Sequence, residues 1–225
     1  MFVYQLAFAH ALPGVRVGQS WPGLLSPREE QIFAGLSFLP RRRKWLLGRA
    51  AAKTLFAELP GTRDLPATEI SVLNDPSGAP YALLGEERWP LCLSLSHRQD
   101  VGLAVAATEV ETVLGADVET IEPRDPALPR QFFTARELAW AQDDQQVALI
   151  WSAKEAVLKL LGVGLRLDTR KIGISMGEGE SGMAGWSSLG VELASDVAWN
   201  GGIQLVWRVE IGNVITVACS PREKP

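Results

Sequence analysis

Residues Trp151–Lys159 read WSAKEAVLK, and the rest of the chain can be interpreted outward from this stretch. Its apolar residues recur at helical spacing, which predicts a helix with one buried face. Glu155 and Lys159 stand four residues apart, so they share a face of that helix. An ordinary ion pair between them on a solvated surface is the simplest interpretation. A second acidic pair upstream, in a different setting, argues against this simple interpretation.

The second acidic pair ends the segment Val113–Glu119, VLGADVE, whose pattern predicts a strand. Because alternate residues of a strand point to the same side, Asp117 and Glu119 are expected to lie together. Two close carboxylates repel each other unless a cation lies between them, and Mg²⁺ or Mn²⁺ suits oxygen ligands. The alternative is a solvated strand end whose acids pair with Arg124 or a lysine.

The composition is that of an ordinary globular protein: 225 residues, 47% hydrophobic and 21% charged. A net charge of −4 provides no basic field for nucleic acid, so we expect no nucleic-acid partner. The apolar N-terminal segment has no basic residue before it, and no apolar run is long enough to span a membrane. We therefore expect a cytoplasmic protein without a membrane partner. Cys92 and Cys219 lie in apolar runs and are expected to be reduced.

Capping boxes predict the starts of two helical regions, at Ser26 with Glu29 and at Thr134 with Glu137. The first region is expected to hold helices from 26 to about 39 and from about 42 to 58. The second is expected to hold helices at about 136–142 and 144–161, after a break caused by the prolines of 123–129. Strands or extended segments are predicted at 2–10, 69–73, 91–95, 101–107, 112–119, 167–175, 203–209 and 214–219.

The two helical regions resemble each other. Trp45–Lys53, WLLGRAAAK, matches Trp151–Lys159 with the same spacing between tryptophan and final lysine, and a strand pair follows each region. We therefore predict an α+β fold of two similar halves, residues 1–111 and 112–225, with the active site at the seam between them. Chance recurrence of helix starts is the alternative.

The paired acidic motifs match a known family. VLGADVE followed by WSAKEAVLKLLGVGL closely resembles the two signature motifs of Sfp-type 4′-phosphopantetheinyl transferases. Three further segments resemble that family: LSFLPRRRKWLLGRAAAK its basic helix, LCLSLSH its SHS segment, and QFFTARE its FFxxxE segment. The resemblance covers nearly the whole chain. It implies a monomer that folds as a pseudo-dimer of two α+β halves.

The resemblance also implies the reaction and the residues that perform it. The phosphopantetheine arm would move from coenzyme A, the co-substrate, to a serine of an apo acyl or peptidyl carrier protein, with Mg²⁺ or Mn²⁺ bound. The N-terminal half would bind the nucleotide and phosphates of coenzyme A, and the C-terminal half would hold the metal and the catalytic groups. The implied metal ligands are Asp117, Glu119 and Glu155. The implied catalytic residues are Glu155, as base or ligand, and Lys159, on the leaving diphosphate. The implied coenzyme A ligands are Lys44, Arg49, Lys53, Ser96, His97, Lys154 and Lys159.

The chain departs from the family pattern at two positions. Ser77–Pro80 lacks the lysine of the family's Gly-x-Lys-Pro segment, and Arg98 replaces the second serine of SHS. Both changes concern the grip on coenzyme A rather than the metal site. Glu137 matches a family glutamate near the metal, but it also suits a capping box alone.

An acidic carrier protein requires a docking surface that mixes basic and apolar residues. We expect this surface at Arg124, Arg130, Phe132, Phe133 and Arg136, with the alternative that the two phenylalanines belong to the core. Two other functions are consistent with the acidic motifs: a module that binds coenzyme A without transfer, and another Mg²⁺-dependent phosphoryl transferase. The absence of a GxxxxGK[ST] loop argues against the latter.

Overall fold

The structure, a computed structural model, describes residues 2–12, 14–107, 109, 111–180 and 182–221. The chain forms two compact units, residues 1–110 and 111–225. When the 3₁₀ helices, the two-residue strand Glu87–Arg88 and the short helix Ala127–Phe132 are set aside, the described elements of both units follow the order strand, helix, long helix, four strands. The predicted α+β class is confirmed. The roles predicted for the two halves, and a site at their seam, stay predictions.

Among its described residues, unit 1 contains two α-helices and six strands, which form two small sheets. Its elements are β1 (Phe2–Phe8), α1 (Pro27–Ala34), α2 (Leu39–Phe56), β2 (Ile70–Asn74), β3 (Pro80–Leu84), β4 (Glu87–Arg88), β5 (Cys92–Arg98) and β6 (Val101–Ala107). One sheet has the order β1-β6-β5 and the other β2-β3-β4, all antiparallel. The core lies between α2 and these strands, where small and branched apolar side chains are fully buried.

The described part of unit 2 contains three α-helices and one five-stranded sheet. Its elements are β7 (Thr112–Thr120), α3 (Ala127–Phe132), α4 (Ala135–Trp140), α5 (Asp144–Leu161), β8 (Ile172–Glu180), β9 (Ser187–Leu193), β10 (Gln204–Glu210) and β11 (Asn213–Pro221). The sheet order is β7-β11-β10-β9-β8. The amphipathic helix α5 packs its apolar face on this sheet and forms the core of the unit. Among the described residues, none of the helices has the length and apolar character needed to cross a membrane.

Several element boundaries differ from the predictions. Helix α1 ends at Ala34 rather than near residue 39, and two further differences have local reasons. Helix α2 begins at Leu39 rather than Arg42, because Pro40 lies in its first turn, where a missing N–H has no cost. Helix α3 occupies part of the segment where prolines predicted a break. Its Pro129 is also in the first turn, so the ring disturbs no helical hydrogen bond.

The predicted capping boxes are confirmed at both helix starts. Glu29 Oε2 accepts a hydrogen bond from Ser26 N at 2.8 Å, and Ser26 Oγ accepts one from Glu29 N at 3.3 Å. Glu137 Oε2 accepts one from Thr134 N at 2.6 Å, and Thr134 Oγ1 accepts one from Glu137 N at 3.2 Å. The helix starts therefore recur as predicted from the sequence repeat.

The same two glutamates correct the register of that repeat. Glu29 Oε2 lies 2.8 Å from Lys53 Nζ, and Glu137 Oε2 lies 2.9 Å from Lys154 Nζ. Lys53 therefore corresponds to Lys154, whereas the tryptophan–lysine spacing had matched it with Lys159, five positions further on. The match of Lys53 with Lys159 was wrong. The two stretches share the tryptophan–lysine spacing because their compositions are similar, and this spacing does not show which lysine lies on the side of the helix that faces the glutamate.

Glycines let the long helices approach their strands closely. A Cβ on Gly115 of β7 would lie 2.9 Å from Lys159 Cβ and deep inside the backbone of Ala156 and Leu160. In unit 1, a Cβ on Gly102 of β6 would lie 2.6 Å from Leu47 O of α2. The distance between α5 and β7 thus depends on the missing side chain at Gly115.

We expect Gly115→Ala to push α5 away from β7 and to lower the free energy of unfolding by about 2 kcal/mol or more, as overpacking does. Urea unfolding measures the loss. Gly202→Ala is the matched control in the same unit, because a Cβ there would meet no atom within 4 Å. Equal stability of the two variants would contradict the close approach.

Candidate active site

The acidic pair of β7 lies inside unit 2, not at a solvated strand end. Only 4% of Asp117 and 7% of Glu119 is exposed. β7 pairs along its length with β11, where Asp117 stands opposite Thr216 and Glu119 opposite Val214. Because they are two residues apart in a regular strand, both carboxylates project from the same side, as predicted.

Lys159 of α5 binds the first of these carboxylates. Its Nζ donates to Asp117 Oδ1 at 2.8 Å and to Ala116 O at 2.9 Å. Its side chain stays 29% exposed, whereas that of Asp117 is 6% exposed. Among the ion pairs of the described residues, Lys159 joins Asp117 rather than Glu155, so the simple surface pair within the helix does not form.

Arg124 binds the second carboxylate. Its Nη2 donates to Glu119 Oε2 at 2.6 Å and to Thr120 O at 3.0 Å, and both charged side chains are nearly buried. This pair matches one part of the alternative interpretation, pairing with Arg124. It does not match the other part, because the pair is not solvated.

Glu155 is the third acid of this site. It is half-buried on α5, and its pKa is raised from 4.5 to about 7. Burial contributes most to this rise and the negative charge of Asp117 comes next, while Lys159 opposes it and Glu119 adds to it. The site therefore holds more negative charge than its own cations neutralise.

The donor chemistry of this site suits a hard divalent cation. Asp117, Glu119 and Glu155 offer only carboxylate oxygens, and an added positive charge would relieve the repulsion that raises the pKa of Glu155. Among the described residues, no three acidic, histidine or cysteine side chains are gathered closely enough to hold a metal as they stand. Metal binding thus requires Lys159 and Arg124 to share or release their carboxylates, and the ligand set stays a prediction.

Lys154 is not available to a ligand. It is fully buried, and its Nζ binds Glu137 at 2.9 Å, Thr169 O at 2.8 Å and Ile172 O at 2.5 Å. These three acceptors use all three ammonium protons. The expectation that Lys154 binds coenzyme A is corrected accordingly, and Glu137 is its capping-box and ion-pair partner.

In unit 1, Lys53 is committed in the same way. It is buried, and its Nζ binds Glu29 at 2.8 Å, Ala67 O at 2.8 Å and also Ile70 O. Its predicted contact with coenzyme A phosphates is therefore corrected too. Nothing in the charge or spacing of WLLGRAAAK distinguishes a buried lysine from a solvated one.

Arg49 is likewise part of the interior of unit 1. Its Nη2 donates to Val72 O at 3.0 Å and to Asn74 Oδ1 at 2.9 Å, and its guanidinium lies 4.2 Å from the centre of the Trp45 ring. Burial lowers the pKa of Arg49 to about 10. The expectation that this residue binds phosphate is corrected, because its side chain is only 5% exposed.

The remaining unit 1 candidates lie in two elements. Lys44 is exposed on the first half of α2. Ser96 and His97 belong to β5, which extends to Arg98 rather than ending at Leu95. His97 is exposed and Ser96 is buried. Coenzyme A binding by these three residues stays a prediction.

One of the two aromatic residues expected on the docking surface is buried instead. Phe133 is 2% exposed and belongs to the core, as the alternative interpretation stated. Phe132 is half-buried, and its ring centre lies 5.0 Å from that of Trp151. Arg130 and Arg136 are exposed, and Arg136 Nη1 lies 3.7 Å from Glu192 of β9.

Comparison with known proteins identifies the family of the chain. A sequence model of the 4′-phosphopantetheinyl transferase superfamily matches residues 113–194. A holo-[acyl-carrier-protein] synthase of Geobacillus sp. (strain WCH70) is 31% identical over 90 residues, which are 38% of this chain and 74% of that protein. The chain belongs to the 4′-phosphopantetheinyl transferase superfamily. The matched segment contains β7 and α5, the two elements that carry the acidic residues.

Two of the solved structures that resemble the chain each match half of it. The match to a Chronobacterium ammoniagenes ACPS–CoA complex covers 50% of this chain and 98% of the chain in that structure, with a TM-score of 0.41 and 15% sequence identity. The match to holo-[acyl-carrier-protein] synthase of Thermotoga maritima covers 50% of this chain and 64% of that protein's chain, with a TM-score of 0.39 and 16% sequence identity. Both scores are low, so membership of the superfamily rests on the sequence match.

The raised pKa of Glu155 predicts a pH-dependent cost in stability. In the unfolded chain its carboxyl ionises near 4.5, and in the folded protein at about 7. The unfolded state therefore releases the proton first, and the wild type loses stability as the pH rises through this window. With metal chelated, we expect Glu155→Gln to be more stable than wild type above pH 7 by about 1–2 kcal/mol, allowing for partial solvation.

Urea unfolding at several pH values measures this difference. The two proteins should be equally stable near pH 4, where both side chains are neutral. A variant that is less stable than wild type at pH 8 would contradict the charge imbalance.

Proposed function

We propose that this protein transfers the 4′-phosphopantetheine arm of coenzyme A to a serine of an apo acyl or peptidyl carrier protein, with Mg²⁺ or Mn²⁺ bound, as an Sfp-type enzyme. The observation that carries the proposal is the cluster on β7 and α5, where Lys159 binds the buried Asp117, and where burial and the charges of Asp117 and Glu119 raise the pKa of the half-buried Glu155. Membership of the superfamily supports the reaction. Two units of similar element order in a single chain support the Sfp type.

Asp117, Glu119 and Glu155 would hold the metal, which when bound neutralises charge on the diphosphate of coenzyme A. Lys159 has three ammonium protons and gives two of them to Asp117 and Ala116. Its third proton and its partial exposure leave it able to donate to a phosphate oxygen. In this role Lys159 stabilises the negative charge that develops on the departing 3′,5′-ADP.

In the chemical step, the serine oxygen of the carrier bonds to the phosphorus that bears the pantetheine arm. The bond from this phosphorus to the bridging oxygen of the diphosphate breaks, and 3′,5′-ADP leaves with that oxygen. Glu155 is the best candidate to accept the serine proton, since a pKa of about 7 suits a general base at neutral pH. Metal ligation would lower this pKa, so the two roles of Glu155 compete.

The carrier protein is expected to dock on unit 2 through complementary charge. Arg130 and Arg136 are exposed on α3 and α4, the two helices that precede α5. Acidic helical bundles such as carrier proteins would find basic side chains there. The choice between fatty-acid, polyketide and peptide carriers requires a panel of apo-carriers.

We expect an apo-carrier incubated with coenzyme A, Mg²⁺ and the wild-type protein to gain the mass of one phosphopantetheine group on its serine. Glu155→Gln should lower the transfer rate by about 10²-fold or more, because it removes both the base and a metal ligand. Mass spectrometry follows the modified carrier over time. Binding of coenzyme A without any mass gain would instead identify a binding module.

Metal binding predicts a stabilising effect that does not depend on transfer. We expect saturating Mn²⁺ to raise the free energy of unfolding of the wild type by about 2–3 kcal/mol at 100 times the dissociation constant. Glu155→Gln should gain much less, because it retains only two carboxylates. Thermal unfolding with and without Mn²⁺ measures both. Equal stabilisation of the two proteins would exclude Glu155 from the ligand set.

A further inference from the structure

A buried ion pair lies next to the candidate active site, on a different face of α5. Glu137 and Lys154 are both fully buried, and Lys154 is the residue next to Glu155 on α5. Burial lowers the pKa of Lys154, although the charge of Glu137 opposes this effect. Neither residue can reach a substrate from this position, so the proposed reaction uses neither of them directly.

The pair joins three elements of unit 2. Glu137 lies in the first turn of α4, where its Oε2 accepts from Thr134 N at 2.6 Å. Its Oε1 accepts from Ile174 N of β8 at 2.8 Å. Lys154 donates to Thr169 O and Ile172 O, just before and at the start of β8. These bonds attach one side of α5 to both α4 and β8.

The other side of α5 lies against β7. The helix backbone there reaches Gly115, and Lys159 reaches Asp117. Glu155 therefore has its place set by the angle at which α5 lies between these two attachments. A roll of about 10° would move a carboxylate about 6 Å from the helix axis by about 1 Å. A misplacement of that size near a reacting centre can cost about 10²-fold in rate.

We propose that the Glu137–Lys154 pair positions Glu155, by fixing the roll of α5 so that this carboxylate faces Asp117 and Glu119. Glu137 and Lys154 are then positioning residues, not coenzyme A ligands. The inference rests on the proposed function for its kinetic consequence, but its effect on metal binding can be measured separately.

Unit 1 provides an internal comparison. Glu29 and Lys53 form the same pair, with equivalent bonds from Val72 N to Glu29 Oε1 at 2.9 Å and from Lys53 to Ala67 O and Ile70 O. The residue after Lys53 is Thr54, where the second copy has Glu155. The pair is thus a common part of both units, and in unit 2 it is followed by an acid of the active site.

The matched variants Glu29→Gln and Glu137→Gln test the proposal. Each replaces a buried carboxylate by an amide of similar shape beside a buried lysine, so a purely structural role predicts similar losses for both. The measurements are the unfolding midpoint, kcat and KM for coenzyme A and the carrier, and Mn²⁺ affinity by electron paramagnetic resonance. All activities are compared at a temperature at which every variant is folded.

We expect similar drops in unfolding midpoint for the two variants. Glu137→Gln should also lose about 10-fold or more in kcat and in Mn²⁺ affinity, with little change in the KM for coenzyme A. Glu29→Gln should stay within about 3-fold of wild type in all three, since no metal ligand adjoins Lys53. Equal kinetic and metal-binding losses for both variants would overturn the proposal.

A second variant covers the case in which Glu137→Gln does not fold. Lys154→Met keeps the length of the side chain and should show the same loss of kcat and Mn²⁺ affinity. A large rise in KM for coenzyme A at unchanged kcat would overturn the proposal, because it would indicate a direct contact between Lys154 and a phosphate. If both unit 2 variants are unfolded while Glu29→Gln is folded, the pair is essential to the fold of unit 2 and the positioning role is rejected.

The Mn²⁺ measurement separates this inference from the proposed function. A wild type that binds Mn²⁺ but transfers no phosphopantetheine would refute the proposed transfer, and the comparison of Mn²⁺ affinities would still decide the positioning role. A wild type that does neither would overturn both.

Discussion

A buried glutamate–lysine ion pair attaches the long helix of each unit to its surroundings, and the rest of each unit depends on this attachment. In both copies the glutamate begins as the partner in a capping box and then reaches a lysine on the long helix. Glu29 and Lys53 do this in unit 1, and Glu137 and Lys154 in unit 2. Each pair also satisfies backbone groups at the start of the following strand, so one charged contact orients two helices and a strand.

Burying such a pair is costly unless its remaining hydrogen-bonding groups find partners. Removing two charges from water can cost more than their attraction returns, and a single missing partner would leave a charge unpaired in the interior. Here every proton of Lys154 has an acceptor, and both oxygens of Glu137 accept backbone N–H groups. A hydrophobic pair could fill the same volume, but it would not specify the angle of α5, since apolar contacts lack direction.

The acidic residues on the other side of α5 are, by contrast, not all neutralised. Asp117 and Glu119 each have a cation within hydrogen-bonding distance, but Glu155 adds a third negative charge whose pKa rises to about 7. A structural role alone would favour replacing this acid by a neutral residue. An uncompensated carboxylate that reduces stability at neutral pH is what a site for a cation or a proton requires. On one face of α5, the hydrogen-bonding groups of the Glu137–Lys154 pair have partners. On the other face, the acidic cluster keeps an uncompensated negative charge, so the two faces of the helix have different roles.

The sequence was sufficient to predict what depends on local pattern. Capping boxes, the α+β class and the acidic motifs that identify the superfamily all follow from spacing along the chain. The roles of Arg49, Lys53 and Lys154 did not, because a basic residue on a helix has the same pattern whether it faces solvent or a buried glutamate. In α5, Lys154 and Glu155 are neighbours in sequence but point about 100° apart, which is the rotation per residue of an α-helix. One side chain therefore faces α4 and β8 while the other lies near the acids of β7, and only the packing of the helix decides which of them can meet a ligand.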